Sequence, residues 1–279
     1  MGGAMAATLH RAGFDLVLWN RDNKKARSLA RELGVVVAPT PGEAAAAADF
    51  VLSSLADDEA VTSVYLGERG VRSTIRRGTI AIETSTIDPE TTRAVGDAID
   101  ESGASFLDCP VSGSVSAVQA GTLTIMAGGP EEIIDRADPV LRALASKVVP
   151  TGPRGTGSAT KLAVNALVHG LNVALSESLV FAERAGIDRL VAYEVFANGA
   201  GGAPFVHYKR QAFEQPENAA VGFTLDLVQK DLELITRLAS RVGAPMEQAR
   251  IGLGLVERAI AAGYGNADLS ALAVFLRSQ

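Results

Sequence analysis

The chain has 279 residues, 47% of them hydrophobic, with 28 glycines, which suits a soluble globular protein of one or two domains. Its net charge of -6 excludes the basic field that nucleic acid or an anionic membrane requires, so any anionic ligand must be held by local cations. The single cysteine, Cys109, excludes an intrachain disulfide framework and a zinc-cysteine cluster, and it points to a reducing cytoplasm.

Residues 1–10 lack the basic flank and apolar run of a signal peptide, and no stretch reaches the about 18 apolar residues of a membrane span. Up to residue 151, short apolar strands alternate with amphipathic helices. The strands are expected at 14–19, 35–37, 50–55, 79–82, 105–107, 122–127 and 148–149. Such alternation implies parallel strands joined by helical crossovers, hence an α/β class with a doubly wound, Rossmann-type N-terminal domain over residues 1–151. Gly152-Pro153-Arg154-Gly155-Thr156-Gly157 then breaks the pattern. A long interdomain helix is expected over 158–185, about 40 Å if unbroken. Further helices at 223–242, 245–262 and 268–277, with no strand signal, make residues 152–279 an all-α C-terminal domain for substrate binding and oligomerisation.

The chain begins inside a motif. Dinucleotide-binding sheets open with an apolar strand that runs into Gly-x-Gly-x-x-Gly, whose glycines admit a pyrophosphate to a helix N-terminus. Here Met1-Gly2-Gly3-Ala4-Met5 already reads as helix, so the first strand and the first two motif glycines are absent. The expectation is that Met1 is internal to a longer functional chain whose upstream frame encodes a short strand ending in Gly-x-Gly; otherwise two sheet edges lose a partner.

Several groups of residues have the chemistry of a cofactor or substrate site. Asn20 and Arg21 end the strand at 14–19, where an acidic residue would bind the ribose 2′-hydroxyl of NAD. An amide and an arginine, followed by Lys24, Lys25 and Arg27, suit a 2′-phosphate, which favours NADP(H); the plainer alternative is a charged helix start. Leu55-Ala56 and Ser85-Thr86 fall at strand C-termini, the ligand-binding edge, although Ser85 and Thr86 also read as capping before Asp88-Pro89. Between 107 and 129, Asp108, Cys109 and Pro110 lead into small residues, including Ser112, Gly113 and Ser114, whose backbone N–H groups can turn toward an anion. Cys109 reads as core. On the long helix Lys161 and Asn165 stand one turn apart, with His169, Asn172 and Ser176 along the same stripe of a helix expected to be buried. Burial near a second cation, Lys230, would draw the Lys161 pKa toward neutrality, as proton transfer needs; the alternative is a lysine that snorkels. Lys230-Asp231 taken alone reads as a solvated pair on an amphipathic helix.

The run at 107–129, the Lys161 and Asn165 pair, and Phe223, Leu227 and Lys230-Asp231-Leu232 together resemble the β-hydroxyacid dehydrogenase family, which includes 3-hydroxyisobutyrate dehydrogenases, tartronate semialdehyde reductases and glyoxylate/succinic semialdehyde reductases. Ser114 replaces the family's usual Gly, and only the second half of its opening glycine motif is matched. The resemblance implies an NADP(H)-preferring oxidoreductase, with NAD possible, that interconverts a small carboxylate-bearing aldehyde or ketone and its hydroxy acid. It implies Lys161 as general acid and base with Asn165 beside it. Gly2, Asn20, Arg21, Leu55, Ala56, Thr86 and Lys230 would bind the cofactor; Ser112, Gly113, Ser114 and Asn165 would bind the small anionic substrate. A homodimer or homotetramer is expected because one long apolar helix exposes more surface than a small bundle can cover, and no metal is expected. The rivals are an imine reductase-like enzyme, which usually has Asp or Tyr in place of Lys161, and a catalytically silent cofactor-binding or scaffold protein.

Overall fold

The computed structural model describes residues 1–279, which divide into two compact units, Met1–Lys161 and Leu162–Gln279.

The first unit alternates helix and strand. Helix α1 (Gly2–Arg11) leads to β1 (Val17–Leu18), α2 (Asn23–Leu33), β2 (Val36–Val37), α3 (Pro41–Ala45), β3 (Phe50–Ser53), α4 (Asp58–Leu66), β4 (Ile80–Glu83), α5 (Pro89–Asp100) and β5 (Ser105–Asp108). After β6 (Val111–Ser112) and α6 (Val115–Gln119) come β7 (Leu123–Gly128), α7 (Glu131–Leu144) and β8 (Ala145–Gly152). Side chains start several of these helices: Asp22 accepts Lys24 N–H, Asp57 accepts Ala60 N–H and Asp88 accepts Glu90 N–H, each satisfying a donor the helix leaves unpaired.

The strands form two sheets. β1 pairs in parallel with β2 alone, while β3, β4 and β5 are parallel neighbours in a six-stranded sheet whose β3 is an edge. No ladder joins β1 to β3. Instead, Met5 and Leu9 of α1 pack in one cluster with Phe14 and Leu16, which lead into β1, with Phe50 and Leu52 of β3, and with Ile80, Ile82 and Leu107. The sheet's other face carries Ala81 and Phe106 against Val61, Tyr65, Val95 and Ile99 of α4 and α5. Purely parallel pairing was expected, but β7 runs antiparallel to β5 and β6 and parallel only to β8.

The second unit is helical. Helix α8 (Thr156–Arg184) crosses the boundary between the units and is followed by α9 (Arg189–Asn198), α10 (Pro204–Glu214), α11 (Leu225–Val242), α12 (Glu247–Ala259) and α13 (Ala271–Arg277). Its core joins Leu175, Leu179 and Ala182 of α8 to Val228, Leu232 and Ile235 of α11, and to Leu255 and Val256 of α12. Asp268 ties the segment before α13 to the start of α11: its carboxylate accepts Gly222 N–H at 2.9 Å and Lys209 Nζ–H at 2.7 Å. Helix α8 corrects two expectations. It is long and apolar enough to cross a membrane by length and composition, yet half of its most apolar stretch is buried inside the fold. Nor is it buried all round, because Leu167 and Phe181 are 67% and 76% exposed and Lys161 is half-buried.

Candidate functional site

At the carboxyl ends of β3 and β4, two loops are tied together. Leu55 N–H donates to Ser85 Oγ at 2.7 Å, while Ser85 N–H donates to Glu83 Oε1 at 2.6 Å. Leu55 and Thr86 are half-buried and Ala56 is exposed, so the expected cofactor residues of these loops are reachable. Glu83 is 1% exposed. Its Oε2 bonds Ser53 Oγ at 2.5 Å, and Ser53 Oγ bonds the Tyr65 hydroxyl at 2.7 Å. Burial pushes the Glu83 carboxyl up to about 7 despite the Ser53 and Ser85 hydrogen bonds; burial, then the Glu83 carboxyl, pushes Tyr65 well up.

The cation-rich segment lies elsewhere in the same unit. Arg21, Lys24, Lys25 and Arg27 are exposed about the start of α2. Asp22 is occupied as the cap of that helix, accepting Lys24 N–H at 3.0 Å, and Asn20 Oδ1 accepts Asp22 N–H at 2.8 Å. The residues present fit a phosphorylated ribose, since the one carboxylate in the segment is spent on backbone and the guanidinium is left in solvent. The start of α1 also suits a phosphate: Met1 caps it without a side-chain bond, and a Cβ on Gly2 would stand 3.4 Å from Ser54 Cβ beyond the end of β3.

From β5, Asp108 holds the N-terminus of α8. Its Oδ1 accepts Gly155 N–H at 3.0 Å and its Oδ2 accepts Ser158 N–H at 2.8 Å, in the manner of a cap supplied from another element. A Cβ at Gly157 would run into the backbone oxygens of Asp108 and Met126, so only glycine allows this approach. Ser158 Oγ is fixed further by Thr92 Oγ1 at 2.8 Å. These bonds set the first turn of α8. Ser112 and Ser114 are half-buried and Gly113 is exposed with φ +139°, a backbone that glycine alone tolerates here because a Cβ would stand 2.7 Å from Leu123 Cδ2. Ser114 caps α6 through Ala117 N–H at 3.3 Å and meets Ser116 Oγ at 2.6 Å, so its hydroxyl already has local partners. Cys109 is fully buried, and burial with the Asp108 and Glu83 carboxyls raises its thiol pKa, in keeping with core packing.

In the second unit the expected stripe on α8 converges on one carboxylate. Asn165 Nδ2–H donates to Asp231 Oδ2 at 2.5 Å, and His169 Nε2 lies 3.4 Å from the same oxygen. Lys230 Nζ is 2.9 Å from Asp231 Oδ1. Burial opposes the charge on Asp231, but the His169 bond and the Lys230 cation hold its carboxyl below the usual range. A carboxylate can only accept, so it fixes the Asn165 amide with nitrogen inward and carbonyl oxygen away. Asn172 and Ser176 bond Leu269 O and Asn172 O, which makes them structural.

One expectation changes here: the Lys230-Asp231 pair is no solvated pair, because Asp231 is completely buried. The residues that sequence reasoning missed are Glu83, Ser53 and Tyr65. A carboxylate closing an otherwise apolar strand was the available signal.

A family model described as the NAD-binding domain of 6-phosphogluconate dehydrogenase matches residues 1–152, and one described as the NAD-binding domain of NADP-dependent 3-hydroxyisobutyrate dehydrogenase matches residues 155–276. Among curated relatives, a 3-hydroxyisobutyrate dehydrogenase of Pseudomonas aeruginosa is 33% identical over 96% of this chain and 90% of its own. The crystal structure of a 3-hydroxyisobutyrate dehydrogenase from Salmonella typhimurium is similar at a TM-score of 0.90, with 27% identity over 98% of this chain and 95% of that one. A Mycobacterium tuberculosis 3-hydroxyisobutyrate dehydrogenase solved with L-serine gives 0.86 and 30% over 99% and 96%. An imine reductase from Pseudomonas sp. gives 0.65 and 20% over 100% and 96%, a likeness of fold alone.

Proposed function

The chain belongs to the β-hydroxyacid dehydrogenase family of NAD(P)-dependent oxidoreductases, and we propose that it interconverts a small carboxylate-bearing aldehyde or ketone and its hydroxy acid, with NADP(H) preferred. The observation that carries the proposal is the pair on α8: Lys161 one turn before Asn165, whose amide is oriented by the buried Asp231.

The bound nicotinamide supplies or receives the hydride. Lys161 as ammonium gives a proton to the carbonyl oxygen, and as neutral amine it takes the proton from the hydroxyl in the reverse direction. Asn165, whose amide is fixed by Asp231, donates its second amide N–H to the reacting oxygen and holds it beside Lys161. Ser112 and the backbone at Gly113 and Ser114 bind the carboxylate. The first turn of α1 and the Leu55-Ala56 and Thr86 loops take the dinucleotide, and Asn20 and Arg21 take the 2′-phosphate. The exposed Phe181, Leu190, Val191 and Val195 favour a homodimer or homotetramer that covers them.

Lysine at position 161 argues against imine reduction, and a silent scaffold would give no turnover. The test is NADPH oxidation measured against glyoxylate, succinic semialdehyde, tartronate semialdehyde and methylmalonate semialdehyde. Turnover of at least one is expected; nicotinamide binding with no reduction of any of them, together with reduction of a cyclic imine, would overturn the proposal.

A further inference from the structure

No step above uses the carboxyl of Glu83, yet the last residue of β4 stands at the sheet edge where dinucleotides bind. Through Ser85 it reaches Leu55 N–H, and through Ser53 it reaches Tyr65. One side chain thus links the end of β3, the loop after β4 and the helix α4. The two loops it joins carry Leu55, Ala56 and Thr86.

We propose that Glu83 is a positioning residue for the nicotinamide dinucleotide, aligning the Leu55-Ala56 and Ser85-Thr86 loops and setting, by the presence or absence of its proton, how well they receive an anionic cofactor. The inference rests on the dinucleotide reading of this edge. The hydrogen-bond chain can run in either direction, although only the ionised state also gives the Tyr65 hydrogen an acceptor. When Glu83 is neutral, its O–H donates to Ser53 Oγ and Ser53 donates to Tyr65; when it is ionised, Ser53 donates to Oε2 and Tyr65 donates to Ser53. Geometry therefore survives while the charge changes.

The groups that face Glu83 are Ser53 from β3, Tyr65 from α4, and Cys109 and its neighbour Asp108 from β5, which pairs in register with Glu83. None of the groups acting on the carboxyl is a cation. The Asp108 carboxylate is held by Gly155 and Ser158 N–H and is raised by its own burial. Burial brings Glu83 up to about 7, whereas Tyr65 and Cys109 move further from neutrality. An ionised Glu83 repels the dinucleotide phosphates; for charges about 10 Å apart at an effective dielectric constant of about 20 to 40, the affinity changes about four- to fifteenfold.

The experiment is NADH affinity by fluorescence titration of the whole chain from pH 5.5 to 8.5, with NADH chosen because it lacks the 2′-phosphate that titrates near pH 6. The wild-type Kd should rise by about four- to fifteenfold across this range. Glu83→Gln imitates the neutral carboxyl and should bind equally at every pH. Ser53→Ala, which removes a donor to the ionised form, should move the midpoint to higher pH and serves if Glu83→Gln does not fold. A wild-type affinity that ignores pH, a pH step retained in Glu83→Gln, or an unmoved midpoint in Ser53→Ala overturns the inference and leaves the dinucleotide reading standing. Failure of the wild type to bind NADH or NADPH at any pH overturns that reading, and the inference with it.

Discussion

Replacing Glu83 by glutamine should change the pH dependence of folding without any ligand present. The folded carboxyl is raised from 4.5 to about 7 because it is buried, and this difference of about 2.5 is worth ~3 kcal/mol. A folded state that binds the proton more tightly than the unfolded chain keeps this contribution in full below pH 4.5. It loses it as pH rises through about 7. The glutamine amide could donate to Ser53 and accept from Ser85 as the neutral acid does, but its second N–H, if buried without an acceptor, costs about 1 kcal/mol at every pH. The variant should therefore match wild type to within about 0.5 kcal/mol at pH 5, where the wild type has begun to lose the contribution, and be more stable by about 2 kcal/mol at pH 8.5. Urea denaturation at the two pH values reads the difference directly. Calorimetry should show the two Tm values drawing apart as pH rises, with their difference changing by about 5 to 10 °C. Asp108, raised by burial, and Asp231 and Asp268, lowered by their partners, titrate alike in both proteins, so the comparison isolates Glu83. A constant difference between the proteins from pH 5 to 8.5 would refute the argument that Glu83 gains its charge inside the fold.

Three further outcomes are expected. Lys161→Ala should lower kcat by ~10²- to 10⁴-fold while the Kd for NADPH stays within a factor of about two, because it removes a proton donor and leaves the phosphate contacts; near-normal turnover would take Lys161 out of the reaction. The wild type should prefer NADPH to NADH in kcat/KM, and Arg21→Ala should erase most of the preference, since a guanidinium can pair with a 2′-phosphate that NADH lacks; better use of NADH by the unmodified chain would contradict this reading. Asp231→Ala should destabilise the second unit by about 3–5 kcal/mol in chemical denaturation, because it removes the buried carboxylate that pairs with Lys230 and accepts from Asn165. As the Asp231 carboxyl is lowered, its contribution is present above the ordinary carboxylate range and lost as pH falls below it, so the wild type and the variant should converge in acid.

The alternation of apolar strands and amphipathic helices was enough to read the α/β class and the helical second half, because periodicity and capping are local: Asp22, Asp57 and Asp88 start their helices from within three residues. The spacing of Lys161 and Asn165 was legible for the same reason, since four residues make about one turn of any α-helix. Pairing across the chain was not legible. The antiparallel course of β7 and the helices α9 and α10, which carry no strong periodic signal, were settled only by packing, whereas the unpartnered edges of β1 and β3 follow from the missing first strand.

At the candidate site the division follows the range of the forces. Residue types and their spacing along the helix and at the strand ends suggested what could bind a phosphate, a carboxylate or a proton. Burial and partners at long range decided what state those groups are in. Asp231 lies 66 residues from the Asn165 it orients, and Glu83 lies 30 residues from the Ser53 it bonds. Desolvation depends on every element packed around a group, so neither the full burial of Asp231 nor the proton on Glu83 could be read from the residues beside them. The sequence by itself determined which chemistry this protein carries on its helices and strand ends, whereas tertiary structure alone decided which of those groups are oriented, buried and able to change charge near neutral pH.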